Sequence, residues 1–237
     1  MQIIHNSQNK IRYLKWFDIL ILTVILWAES IYISTVSYIA LGQGTSTVND
    51  NLVFSVSDNY RALAMQAVLL FIALLYLRLR RFDFKTWNIR LNPKAVVYGV
   101  LIFLAGALLF DVYSLLVYPL SSMLPFPGMI RAFFANETVS VVIYAMLNGL
   151  YEELYFLGIC MAVKKEHLKW VIPFSLLIRV SFHTYQGMLS ALGIGVLFGG
   201  LLYLLYRRSK SKNLLPFFIA HAIGDILGMG ILSYFWA

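Results

Sequence analysis

Windows of about 18 or more apolar residues recur along this chain, the length at which a helix crosses the hydrocarbon layer of a bilayer. That pattern restricts the fold class to all-α: a polytopic membrane helix bundle. No long polar linker, internal repeat or low-complexity tract divides the sequence, so residues 1–237 read as one integral membrane domain. Hydrophobic residues make up 60% of the chain, against about 45–50% in soluble globular proteins. The 13% that is charged is gathered in short patches between the apolar windows.

The windows give about seven transmembrane helices: Trp16–Ala40, Tyr60–Leu79, Ala95–Leu120, Val139–Val163, Leu168–His183, Met188–Tyr206 and Leu214–Phe235. The fifth is short and is interrupted by Pro173 and Arg179. The first is too long for the apolar region of a signal peptide and has no A-x-A-like cleavage site, so it is expected to be retained. Basic residues fall on alternate connections. Lys10, Arg12 and Lys15 precede the first span, and Arg78, Arg80, Arg81, Lys85, Arg90 and Lys94 follow the second. Lys164, Lys165 and Lys169 follow the fourth, and Arg207, Arg208, Lys210 and Lys212 follow the sixth. The intervening connections carry only Arg61 and Arg131. The positive-inside rule then puts the N-terminus in the cytoplasm and the C-terminus outside. A net charge of +8 could suggest nucleic acid. Its placement between spans points instead to the lipid bilayer, with no nucleic-acid partner. The single cysteine, Cys160, allows no intramolecular disulfide and no CxxC site. Gly195 and Gly199 form a G-x-x-x-G in the sixth span, which reads as a helix-packing face.

Against that background the adjacent carboxylates Glu152 and Glu153, in the middle of the fourth span, stand out. Ionisable groups at bilayer depth are costly and mark function by default. Successive helical residues are about 100° apart, so the two cannot point the same way. One can face a cavity while the other takes a structural partner. Asn148 lies one turn before Glu152, on its face. Arg179 and His183 share a helix face, and so do His221 and Asp225. Three helices thus each present a polar pair, and a bundle that buries the pairs together makes a hydrated pocket within the membrane. A desolvated carboxylate is a suitable general base for water, and imidazoles can orient that water or donate to an oxyanion. Those parts suit hydrolysis of an amide. A second arrangement is a catalytic zinc held by Glu153, His183 and His221, although no H-E-x-x-H forces those ligands together. The bland alternatives are an ion pair between one Glu and Arg179, an interfacial His183, and a plain hydrogen-bonded pair of His221 and Asp225. Glu29 and Asp111 are solitary in their spans and are set aside as structural.

The strings Glu152-Glu153-Leu154-Tyr155-Phe156-Leu157-Gly158, Arg179-Val180-Ser181-Phe182-His183 and His221-Ala222-Ile223-Gly224-Asp225 resemble the three motifs of the CPBP family. These are the CAAX-protease and bacteriocin-processing membrane proteins, also called Abi. The family signature is EExxxR, then FxxxH, then HxxxN or HxxxD, on successive core helices. The resemblance covers roughly Val139 to the C-terminus, making 139–237 the expected catalytic core, and leaves the first three spans unmatched. It implies an intramembrane endopeptidase in which Glu152 activates water, His183 helps hold it, Glu153 orients its neighbours, and His221 with Asp225 stabilises the oxyanion. The implied mechanism is glutamate-type with no cofactor, Zn2+ being the alternative.

Two positions depart from the signature. Leu157 stands where motif one ends in Arg, and Arg179 stands where motif two opens with Phe. The expectation is that Arg179 supplies, from the neighbouring helix, the cation that Leu157 lacks. Asp225 replaces the commoner Asn, and an ionised Asp repels an oxyanion, so Asp225 is expected either to be protonated or to orient His221. The expected substrate is a small membrane-associated peptide or protein, as in peptide-signal or bacteriocin processing or self-immunity, at a bacterial cell membrane. The competing functions are a non-proteolytic scaffold for a membrane partner and a proton-coupled transporter, the latter disfavoured by the absence of an inverted repeat.

Overall fold

The computed structural model describes residues 10–124 and 139–232, and all its regular elements are helical. In chain order they are α1 (Trp16–Gly42), α2 (Val48–Leu52), α3 (Val56–Leu79), α4 (Pro93–Val117), α5 (Val139–Glu153), α6 (Leu168–His183), α7 (Met188–Leu192), α8 (Gly199–Arg208) and α9 (Leu215–Leu227). A π-helical turn, Leu154–Ile159, prolongs α5, and a second, Gly193–Phe198, joins α7 to α8.

Local chemistry sets the helix ends. At α1 the Lys15 backbone N–H donates to Asp18 Oδ2. At α3 the Ser55 hydroxyl accepts from the Asp58 N–H while the Asp58 carboxylate accepts from the Ser55 N–H, a reciprocal capping box. Asn92 caps α4 ahead of Pro93, whose missing N–H costs nothing in a first turn. Gly228, at φ 81°, ends α9 in a conformation that disfavours any side chain.

Among the described residues, four stretches are long and apolar enough to cross a membrane: α1, α3, Pro93–Leu120 and Met188–Arg208. With the apolar surface described next, they make this a multi-pass membrane protein. The other three expected spans form shorter helices at α5, α6 and α9. Phe235 and Arg131, used in reading spans and connections, lie outside the described residues. α2, a short helix between the first two spans, was not expected.

The helices divide by what surrounds them. α1, α3 and α4 expose large apolar side chains, among them Val24, Ile33, Val68, Phe71, Leu115 and Leu116. Hydrocarbon, and not water, is the solvent such a surface suits. α9 packs against α4 and α5, α5 against α3, and α1 against α6. Asn148, Glu152, Glu153, Arg179, His183 and His221, on α5, α6 and α9, are buried. Gly195 on the π-helical turn faces the Val180 backbone of α6, and a Cβ at Gly199 would meet Arg179 Cδ at 3.2 Å. The glycine stripe is a packing face, and it makes room for a buried guanidinium.

The four basic stretches meet at one end of the bundle. Ile11 N–H donates to Arg81 O and Asp83 N–H to Ile11 O, at 3.1 and 2.9 Å. Leu14 N–H donates to Ala162 O at 2.7 Å, and Leu214 N–H to Asn88 O at 2.8 Å. The alternation of charge along the sequence thus corresponds to alternation in space.

Candidate active site

α5 brings Glu152 and Glu153 into the centre of the bundle, about 10 Å by helical rise from the basic end. Both are buried, at 3% and 0% exposure. The π-helical turn begins immediately after them. Its five-residue register, with Cys160 N–H donating to Tyr155 O at 2.9 Å, lets Tyr155, Phe156, Leu157 and Ile159 all be buried. Such turns occur mostly where function has distorted a helix.

Glu153 Oε1 accepts from Arg179 Nη2 at 2.7 Å and lies 2.7 Å from His221 Nδ1. A carboxylate paired with a guanidinium acts as an acceptor only, so the imidazole donates from Nδ1. His221 Nε2 then faces Glu152 Oε1 at 3.7 Å and Asp225 Oδ1 at 3.5 Å. The Asn148 side-chain amide donates to Glu152 Oε1 at 3.1 Å and to Asp225 Oδ2 at 2.8 Å. The two glutamates do diverge as helix geometry requires: Glu153 toward Arg179, Glu152 toward Asn148.

Arg179 is 1% exposed, and its guanidinium carbon sits 4.0 Å from the centre of the Phe156 ring. The cation is held between a carboxylate and an aromatic face. Leu157, where the motif has Arg, packs instead in an apolar cluster with Phe198, Leu202 and Phe217. The buried cation that contacts the Glu153 carboxylate in this chain is on α6.

His183 enters differently. Its Nδ1 lies 2.8 Å from the Arg179 carbonyl one turn earlier on α6. A carbonyl only accepts, so Nδ1 carries the proton and Nε2 is left as an acceptor. α1 fixes the segment that follows. Ser34 Oγ is 2.9 Å from Thr184 Oγ1 and accepts the Tyr185 N–H at 2.9 Å. Trp27 of α1 stacks on Phe182 with ring centres 4.2 Å apart.

Of the candidates read from the sequence, Glu152, Glu153, Arg179, His221 and Asp225 are joined by direct contacts, and His183 adjoins them through Arg179. The proposed zinc set fares differently. The donors that come within 4.8 Å of one another are Glu152, Glu153 and His221, and His183 is not in that group. A metal bound there would draw on Glu152, Glu153 and His221. Glu153 Oε1 and His221 Nδ1 are already bonded to each other, and Arg179 bonds the same oxygen. Glu152 Oε2 and Glu153 Oε2 are buried and have no hydrogen-bond partner among the described residues.

Two contributors were not chosen as site residues from the sequence. Asn148 was noticed only as a neighbour of Glu152, whereas it also reaches Asp225 on α9. Gln66 of α3 donates to Asn148 Oδ1 at 2.7 Å. The signal for Gln66 was present as a seven-residue spacing on α3: Asn59, Gln66, Ala73 and Arg80 form one stripe, and each polar member of it bonds inward. Asp111, set aside as structural, accepts the Ile231 and Leu232 N–H groups at 2.9 and 3.1 Å and so secures the chain after α9.

Residues 134–227 match the family model described as Rce1-like, type II CAAX prenyl endopeptidase Rce1-like. The match covers α5 to α9 and leaves α1 to α4 outside it. No curated protein and no solved structure matches the chain.

Proposed function

We propose, from the likeness of residues 134–227 to the Rce1-like family model, that this chain is an intramembrane protease of the CPBP type that hydrolyses a peptide bond of a small membrane-associated peptide or protein by glutamate-activated water. The observation that carries the reading is the convergence of Glu152, Glu153 and His221 within 4.8 Å at the buried centre of the bundle.

In the proposed reaction Glu152 takes a proton from water as the water oxygen attacks the scissile carbonyl carbon. His183 Nε2, an acceptor by tautomer, holds the second proton of that water. The carbonyl π electrons move to oxygen, and the oxyanion is met by the Nε2–H of a His221 imidazolium, the doubly protonated form that suits a ring with Glu153 at Nδ1 and with Glu152 and Asp225 at Nε2. Glu153 fixes the His221 ring by accepting from Nδ1, and Arg179 holds Glu153 in turn. Collapse of the tetrahedral intermediate breaks the C–N bond, and the proton on Glu152 passes to the leaving amine. Asp225 has no place against an oxyanion when ionised; its contacts with His221 Nε2 and Asn148 suit orientation. A zinc ion at Glu152, Glu153 and His221 is the second reading, and it would supply Lewis-acid activation of water.

The positive-inside rule supports placing the basic end in the cytoplasm, the apolar windows support seven crossings, and the proposed location is a cell membrane. The family description names prenylated tails, whereas the sequence features point to peptide-signal or bacteriocin processing. The site as built addresses the amide bond that both substrates contain.

The test uses purified protein in lipid nanodiscs with two peptide sets, prenylated CAAX peptides and unprenylated leader-type peptides, and mass-spectrometric detection of products. Cleavage by the wild type, lost by about a hundredfold to ten-thousandfold in Glu152→Gln, is the expected result. Equal cleavage by that variant overturns the glutamate role. Survival of activity in a strong chelator, with no response to added Zn2+, separates the two mechanisms. No cleavage of either set, with a phenotype unchanged by Glu152→Gln, favours the scaffold.

A further inference from the structure

The residues that join α3 to the active site lie partly outside the segment matched to the family. Gln66 is in the middle of α3, in a stretch from Ala62 to Leu75 that has no other side chain able to make strong hydrogen bonds. A primary amide placed there exchanges water for whatever partner the bundle provides. Its partner is Asn148 Oδ1, at 2.7 Å.

Asn148 in turn spends both its amide hydrogens on carboxylates from two helices, Glu152 Oε1 on α5 and Asp225 Oδ2 on α9. This bridge holds two acidic groups beside each other and beside His221 Nε2. An amide has two orientations related by a half-turn. The reversed one would aim Oδ1 at both carboxylates. It would also set the NH2 group against the NH2 group of Gln66. A donor at Gln66 therefore selects the orientation in which the bridge exists.

We propose that Gln66 is a positioning residue of the active site, acting through the Asn148 amide to hold Glu152 and Asp225 in place for water activation. This rests on the protease reading, but the geometric part can be tested apart from it. α3 then has a catalytic duty despite its lipid-facing composition, because the general base is placed by a three-helix relay from α3 through α5 to α9. The Asn59 to Ser140 hydrogen bond, two turns away on the same stripe, pins the same α3–α5 seam.

Two variants of similar volume test it: Gln66→Met, which removes all hydrogen bonding, and Gln66→Glu, which replaces the donor with an acceptor. The first readout is infrared spectroscopy of the protein in nanodiscs, following the carboxyl and carboxylate stretching bands assigned with Glu152→Gln and Asp225→Asn. The expected result is that both Gln66 variants move the Glu152 and Asp225 bands, and that neither moves them further once Asn148→Ala is present. Unmoved bands overturn the proposal whether or not the chain is a protease. The second readout applies to any peptide the wild type cleaves. There kcat falls on the order of a hundredfold with KM little changed, the mark of a misplaced reacting group. An unchanged kcat overturns the proposal and leaves the protease reading standing. A wild type that cleaves nothing ends the protease reading and leaves the infrared result to decide the relay.

Discussion

Two Arg–carboxylate pairs, each with a buried carboxylate, can be set side by side in this molecule. At the basic end, Asp18 of α1 is saturated. Its Oδ1 accepts from Tyr76 and from Arg80 Nε, both at 2.6 Å, and its Oδ2 accepts from the Lys15 N–H at 2.8 Å and from Arg80 Nη2 at 3.3 Å. At the centre, Glu153 accepts from Arg179 and His221 through Oε1 alone. Its Oε2, together with Arg179 Nε and Nη1, has no hydrogen-bond partner among the described residues. A pair with every lone pair engaged locks helices together and has nothing left to offer a reactant. A pair with buried polar capacity in reserve is expensive to keep and marks a place where chemistry is done. The first is a clamp between α1 and α3; the second belongs to the proposed site.

The sharpest way to break this contrast is to remove each cation. Arg179→Met leaves Glu153 as an uncompensated buried charge. Breaking a buried pair from one side costs about 3–5 kcal/mol. Peptide cleavage should be abolished, since Glu153 no longer has a reason to hold its place against His221. Steric-trap unfolding in bicelles and the nanodisc cleavage assay read the two effects. Full activity in a folded Arg179→Met protein would end the idea that Arg179 supplies the cation that Leu157 lacks.

The motif departures were legible in the sequence, as was Arg179 as a replacement cation; which glutamate it pairs with was not. Glu152, Glu153, Arg179, His221 and Asp225 declared themselves because carboxylates, guanidinium and imidazole are rare in apolar windows. The i, i+4 rule put Asn148 next to Glu152. What single-helix periodicity could not give was which helix faces which. Gln66 looked like any polar residue in a span until α3 was seen against α5. The zinc set chosen by residue type included His183, which is not among the donors that come within 4.8 Å of one another, Glu152, Glu153 and His221. The helical fold and the alternating basic connections could be read because the bilayer imposes them on composition. The lengths of α5, α6 and α9 could not, since helices buried among other helices have no hydrocarbon thickness to match.

A second prediction moves from charge to helix spacing. Gly149 lies where α5 and α9 touch: a Cβ there would stand 2.7 Å from Phe218 O and 3.3 Å from His221 Cβ. Gly149→Ala must push α9 away, at a cost of about 1–3 kcal/mol for overpacking, and it carries His221 with it. The cleavage rate should fall by more than the loss of folded protein explains. An alanine of comparable size introduced near the clamp has no route to His221, so only the central pair should show this excess.

Asp18→Asn is the matching test at the basic end. It leaves Tyr76 and Arg80 without an ionised acceptor, but Arg80 is one-third exposed and water can take over part of the loss. The expected cost is about 1–2 kcal/mol, with cleavage per folded molecule unchanged. The Asp18 hydrogen bond already holds the Arg80 guanidinium above its usual range. A cation raised in this way contributes below its unfolded pKa and loses its contribution only as pH rises past the folded one, so across neutral pH the Arg80 side of the clamp should not vary. A large loss of cleavage in folded Asp18→Asn would mean that the clamp is coupled to the site and that the contrast is wrong.

The smallest effect expected is that of Tyr76→Phe. It removes one neutral donor to Asp18 Oδ1 and leaves the Arg80 bond to the same oxygen. A hydrogen bond to a charged acceptor with a second donor in place is worth about 0.5–1.5 kcal/mol. The removal should also be additive with Gly149→Ala, because the two positions have no shared partners. Double-variant unfolding free energies measure that additivity. A coupling well above about 0.5 kcal/mol would show that the basic end and the central pocket respond as one unit, in which case saturation of a carboxylate would no longer separate a structural pair from a reactive one.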